Sequence, residues 1–102
     1  MFTLNEIEKK ILNWANERGL IEGTTVEKQM IKLMEEVGEL SKAILCDDFA
    51  EMIDAIGDCM IVLTNMTAKL GVSLEYCYEF AYNTIKNRTG KMINGTFVKD
   101  TK

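Results

Sequence analysis

Histidine and proline are both missing from this 102-residue chain, and it holds one tryptophan and three cysteines. The missing histidine removes the commonest general base and metal ligand, so acid–base chemistry or metal binding falls to carboxylates, lysine, tyrosine or water. The missing proline means no helix is broken from within, and the glycines do the punctuating. Cys46, Cys59 and Cys77 are odd in number and widely spaced. They fit neither a zinc site nor a disulfide framework and read as buried thiols of a reducing compartment. No long apolar run exists: the longest, Cys59 to Leu63, is far too short to span a bilayer. The start MFTLNEIEKK turns polar at once, unlike a secretory leader. These features predict a cytoplasmic protein with no membrane partner. There is no basic stripe either, and 12 Lys and Arg against 16 Asp and Glu leave a net charge of −4. That balance argues against nucleic acid as a partner.

What is present is an ordinary globular composition, 47% hydrophobic and 27% charged, sized for one domain over 1–102. Thr3-Leu4-Asn5-Glu6 has the pattern of a capping box. The helix it opens carries Ile7, Ile11, Leu12 and Trp14 or Ala15 at core spacing and stops at Arg18-Gly19. Residues Leu20 to Gly23 read as a loop, and Thr24-Thr25-Val26-Glu27 as a second capping box for a helix reaching Cys46. Asp48 caps a third helix to Leu70-Gly71, and Ser73 a fourth to about Arg88. Thr89 to Lys102 is a short polar tail or a small hairpin around Thr96-Phe97-Val98. Four helices with short connections and no strand-rich region predict an all-α, four-helix-bundle-like fold with a short C-terminal tail.

Acid is concentrated in two places. Glu35, Glu36 and Glu39 lie within about 100° on the second predicted helix, beside Lys32 and Lys42. Between Lys42 and Lys69 the chain has five carboxylates, Asp47, Asp48, Glu51, Asp54 and Asp58, and no basic residue. Glu51, Asp54 and Asp58 fall within about 60° of one another on a helix otherwise apolar nearly all round. Like charges on a buried face repel and are poorly solvated, so they call for protonation, exposure or a bound cation. A hard divalent cation suits an all-oxygen donor set, magnesium above all, with positions left for phosphate oxygens.

Glu35-Glu36-Val37-Gly38-Glu39-Leu40 followed by Asp54-Ala55-Ile56-Gly57-Asp58 resembles the MazG-like branch of the all-α nucleoside triphosphate pyrophosphohydrolases, whose signature is E-E-x-x-E and then E-x-x-D. Trp14-Ala15-Asn16-Glu17-Arg18-Gly19-Leu20 is similar to the tryptophan segment of phage and bacterial members. The segment Tyr82 to Lys91, with Gly95-Thr96-Phe97-Val98, is similar to the C-terminal signature of the small phage type. One position departs. The family glutamate three residues before the last aspartate is Ala55 here, with Asp54 a residue earlier, while Glu51 and Asp54 satisfy E-x-x-D one turn upstream.

The resemblance implies cleavage of a nucleoside triphosphate, ribo or deoxy, between the α- and β-phosphates to a monophosphate and pyrophosphate. Mg2+ is the implied cofactor, with Mn2+ as a substitute. It implies Glu36, Glu39, Asp54 and Asp58 as metal ligands, and leaves Glu51 as an auxiliary ligand. Glu35 is implied either as a ligand of a further ion or as the residue that positions the attacking water. Lys32, Lys86, Arg88 and Lys91, with Asn83, are candidate phosphate contacts. Trp14 is either a stacking surface for the base or a core or interface aromatic. A homodimer or homotetramer is expected, because four short helices cannot cover so many apolar positions. Ala55 keeps a rival open, a non-catalytic helical module that binds nucleotide or a protein.

Overall fold

The computed structural model describes residues 1–101. The chain runs α1 (Leu4–Glu17), α2 (Leu20–Gly23), α3 (Val26–Leu45), α4 (Phe49–Leu70), α5 (Leu74–Ile85), β1 (Gly90–Ile93) and β2 (Thr96–Lys99). The all-α reading holds, with two additions. Leu20–Gly23 is a single helical turn rather than a loop, entered through Gly19 at φ 69°. The C-terminal segment is an antiparallel hairpin rather than a tail, with Met92 paired to Phe97 and Ile93 to Thr96. Asn94 (φ 49°) and Gly95 (φ 82°) make its tight turn, a left-handed pair that Asn-Gly accepts at little strain.

Helix starts follow side-chain capping. Thr3 and Glu6 form the reciprocal capping box at α1, with bonds of 3.0 and 3.1 Å. At α3 the cap is Thr25, whose hydroxyl accepts from the Lys28 N–H. The box predicted with Glu27 does not form, because the third helical position is a lysine with no acceptor to return. Asp48 caps α4 and Ser73 caps α5. Gly71 (φ 77°) ends α4, with the Val72 N–H reaching back to the Thr67 carbonyl at 3.0 Å, a Schellman closure.

α3 and α4 form an antiparallel pair, the most extensive packing in the chain. Only Cys46, Asp47 and Asp48 join them, with Asp47 left-handed at φ 53°. α1 packs across α4, and α5 leans on both after a 97° change of direction from α4. The fully buried apolar residues are small: Ala15, Ala43, Ala55 and Val62. The buried face of α3 is therefore not its row of long apolar side chains. Met30, Ile31, Met34, Val37 and Ile44 face solvent, and so do Ile53 and Ile56 of α4. Cys59 and Cys77 are half-buried, but Cys46 is exposed, contrary to the buried reading of all three thiols.

Candidate active site

The acids meet across the α3–α4 seam. Glu36 is half-buried on α3, and Asp58 half-buried on α4. Burial first, and then the negative charges of Asp54 and Glu36, push the Asp58 carboxyl above the ordinary aspartate range. A hydrogen bond with the Asp54 side chain raises it further, and the Lys32 ammonium opposes the rise. Burial, with Glu36 and Asp58, likewise raises the neighbouring Cys59 thiol. Glu36, Asp54, Asp58 and Lys32 thus share one neighbourhood.

Lys32 supplies the local positive charge. Its ammonium lies 3.3 Å from Glu35 and 3.4 Å from Glu36, and its own pKa is raised by its hydrogen bonds to Glu35 and Glu36. Both pairs run along α3 itself, one three and one four residues apart, and Lys32 and Glu35 are exposed. Among the described residues no three acidic or thiol side chains stand close enough to enclose an ion as they are placed. The donor chemistry fits a divalent ion; the rotamers present satisfy Lys32 instead.

The remaining acids are less central. Glu35 and Glu39 are exposed on α3. Glu51 is exposed in the first turn of α4, where its N–H donates to the Asp48 carboxylate at 3.2 Å. About 10 Å of helix separates its backbone from that of Asp58. Ala55, the departure from the signature, is 4% exposed and packs in the helix interface, so a carboxylate at 55 would be buried whereas Asp54 is exposed.

The basic candidates divide into two groups. Lys32 sits with the acids, whereas Asn83, Lys86 and Arg88 are exposed at the end of α5, and Lys91 is on β1. α3 and α5 do not touch, so one chain does not bring these groups together. Arg88 lines a shallow depression with Thr84, Asn87 and Lys99. Trp14 is 48% exposed and already has a cation on its ring, the Arg18 guanidinium at 4.4 Å. That guanidinium also donates to the Trp14 carbonyl at 2.9 Å.

Three buried polar residues were not anticipated. Glu8 of α1 accepts the N–H groups of Leu74 and Glu75, at 2.6 and 3.3 Å, at the start of α5. Gln29 and Asn65 each keep a buried carbonyl oxygen without a partner, although Gln29 also donates to the Thr24 hydroxyl at 2.9 Å. Gln29 is one heptad before Glu36 and Asn65 one heptad after Asp58. In an antiparallel pair both steps run the same way, so the two amides stand level, about 10 Å along the seam from the acids. Their signal in the sequence was a polar residue within an otherwise apolar stripe.

A family model described as phosphoribosyl-ATP pyrophosphohydrolase matches residues 15–83. The match takes in α2, α3 and α4, with Glu35, Glu36, Glu39, Glu51, Asp54 and Asp58, and stops before the hairpin. The chain is also 43% identical over 63 residues to an uncharacterised 18.2 kDa protein in the rep-hol intergenic region of Haemophilus phage HP1. That alignment covers 62% of this chain and 39% of the phage protein, so the chain matches about two fifths of its relative's length. No solved structure matches the chain.

Proposed function

The chain belongs to the phosphoribosyl-ATP pyrophosphohydrolase family, within the MazG-like all-α nucleoside triphosphate pyrophosphohydrolase superfamily, and on that footing we propose that it is a Mg2+-dependent hydrolase of nucleoside triphosphates. The observation that carries the proposal is the carboxylate group across α3 and α4, where Asp58 feels the charges of Asp54 and Glu36, and Glu36 pairs with the Lys32 ammonium at 3.4 Å. Glu36, Glu39, Asp54 and Asp58 would hold the ion, with Glu51 one turn further out. Bound magnesium, or manganese in its place, supplies positive charge that offsets the triphosphate and lowers the pKa of water.

The residues then divide the work. Glu35 orients a water and takes its proton as the water oxygen bonds to the α-phosphorus. The bond from that phosphorus to the α–β bridging oxygen breaks, and the electron pair leaves with pyrophosphate. Lys32, once free of Glu36, would turn to a phosphate oxygen. Lys86, Arg88 and Asn83 contact phosphates, and because α5 does not reach α3 within one chain, they come from a second copy. Trp14 offers its free ring face to the base once Arg18 moves aside.

Area supports that second copy. The chain exposes 8077 Å², against about 5,800 Å² for a folded monomer of this mass. The excess of about 2,200 Å² is more than twice the ~800 Å² each partner buries in a standard interface. Its radius of gyration, 16.2 Å, also exceeds the ~13 Å of a compact chain of this length. We read it as a homodimer, alone or doubled into a tetramer.

Pyrophosphate release across a panel of ribo- and deoxynucleoside triphosphates, with phosphoribosyl-ATP included, tests the reading in Mg2+ and in Mn2+. Release from at least one substrate, abolished by chelator, is expected. The buried Ala55 favours the second reading, a non-catalytic binding module. Calorimetric binding of a non-hydrolysable triphosphate without turnover of any panel member would establish it.

A further inference from the structure

Among the described residues, the backbone of the hairpin Gly90–Lys99 packs against no helix, and only Lys99 comes beside α5, at the depression it lines with Thr84. All eight strand residues are exposed. A lone two-stranded hairpin is marginal in water. This one is nonetheless well specified. The Asn94-Gly95 turn fixes its register, and the Thr89 hydroxyl donates to Asp100 at 2.8 Å across its base. The Phe97 ring packs over Gly90, where a β-carbon would collide with it. Each face of the hairpin carries an apolar pair and a lysine: Met92, Phe97 and Lys99 on one, Ile93, Val98 and Lys91 on the other. No acidic residue occurs from Gly90 to Lys99.

A matching receptor is present on the helices. α1, α4 and α5 enclose an apolar groove of about 770 Å³, with Ile7, Ile11, Met60, Ile61, Tyr78 and Tyr82 on its walls. Its charged lining is wholly acidic, Glu8, Glu75 and Glu79, with no lysine or arginine. Glu8 is committed to the start of α5 and holds that wall in place, which leaves Glu75 and Glu79 as the free charges. The groove ends at Ile85, five residues before the hairpin begins, yet the hairpin does not turn back into it.

We propose that the two surfaces meet between copies: the hairpin of each chain docks in the α1–α4–α5 groove of the other, its Met92–Phe97 face inward and the ammonium groups of Lys91 and Lys99 at the rim against Glu75 and Glu79. The exchange is reciprocal, as a two-fold interface requires, and closes on itself. It covers one exposed face of the hairpin and the groove side of α5 in one step. It rests on the homodimer of the proposed function and specifies how that dimer is tied.

Zero-length carbodiimide cross-linking of isotopically light and heavy chains refolded together tests the exchange, with native mass spectrometry checking that mixed dimers form. Light-to-heavy links from Lys91 or Lys99 to Glu75 or Glu79 are expected. They should fall about tenfold both in Phe97→Asp and in Tyr78→Asp, the second of which leaves the hairpin sequence intact, while the Lys32–Glu35 link within one chain persists. A tenfold drop corresponds to about 1.4 kcal/mol of docking free energy. Mixed dimers without these links, links confined to one chain, or a monomer each overturn the docking. Pyrophosphate release measured on the same samples keeps the two readings apart, because an active dimer lacking the links discards the exchange and leaves the hydrolase standing.

Discussion

The Glu8 carboxylate accepts the backbone N–H of Leu74 at 2.6 Å, joining residues 66 apart in sequence. Together with its second bond, to the Glu75 N–H, it is the only side-chain hydrogen bond among the described residues that joins distant helices. Glu8 is 6% exposed, and α5 has no buried residue of its own. A negative side chain on a helix N-terminus also complements the dipole there. The orientation of α5 therefore depends on one carboxylate.

Glu8→Ala leaves two partly buried N–H groups without their acceptor and should cost about 1 kcal/mol in chemical denaturation. Glu8→Gln keeps one acceptor and should cost less. Amide exchange at residues 74–76 should accelerate in Glu8→Ala before it does in α3. Unchanged protection there would show that packing alone places α5.

The acids should rank by their place in the seam. Glu36→Gln and Asp58→Asn should each lower turnover by roughly 10²-fold or more, the scale of one lost preorganised charge contact. Asp54→Asn should be more damaging than Glu51→Gln, because Asp54 shares the neighbourhood of Asp58 and Glu51 lies in the first turn of α4, about two turns away. Pyrophosphate release at limiting Mg2+ measures the order. An essential Glu51 beside a dispensable Asp54 would move the site one turn upstream.

Crowded carboxylates give a pH signature. Asp58 titrates above its unfolded value, so between the two values the folded chain binds more protons than the unfolded one. Metal-free stability should therefore decline as pH rises from the ordinary aspartate range through the raised value. Asp58→Asn should flatten that slope. Mg2+ binding in the same window should release protons, visible as a buffer-dependent heat in calorimetry. A slope that survives Asp58→Asn would place the perturbed group elsewhere.

The exposed apolar rows on α3 and α4 predict association. Sedimentation equilibrium at micromolar concentration should give a dimer or a tetramer. Ile56→Asp, which puts a charge on the outward face of α4, should lower the apparent mass with helicity retained. A wild-type monomer that still releases pyrophosphate would separate activity from assembly.

Asn65 supplies a sharper test of the seam. Its carbonyl oxygen is buried without a partner, so Asn65→Leu should leave stability unchanged or raise it by about 1 kcal/mol. A loss of more than that would show that the assembled protein gives this oxygen a donor.

The four long helices and most of their boundaries could be read from the sequence because caps and glycines act locally, whereas the single turn Leu20–Gly23 could not. Thr3, Asp48, Ser73 and Gly71 set helix ends through neighbours three to five residues away. The acids were legible for the same reason, since their spacing places them on one arc. Which apolar row turned inward was not. Met30, Met34, Val37 and Ile44 have good helical spacing, but Ala43 and Ala55 let α3 and α4 approach closely, and the long side chains were left outside. Periodicity marks an apolar face without saying whether the same chain or another covers it. Glu8 escaped notice because its partners lie 66 and 67 residues away. The hairpin was half visible, in the Thr96-Phe97-Val98 patch, because its strands are only four residues each.

The three-residue link between α3 and α4 bears on how the protein is made. Glu36 and Asp58 are separated by 21 intervening residues, nearly all of them within the two helices that carry them. Closing that short loop costs little chain entropy, and pairings this local form early and fast. On a ribosome the acidic half emerges ahead of α5 and the hairpin, so the repulsion at Asp58 arises before those elements are free to fold. A divalent ion captured at that moment would act as a folding aid before it had any substrate to meet.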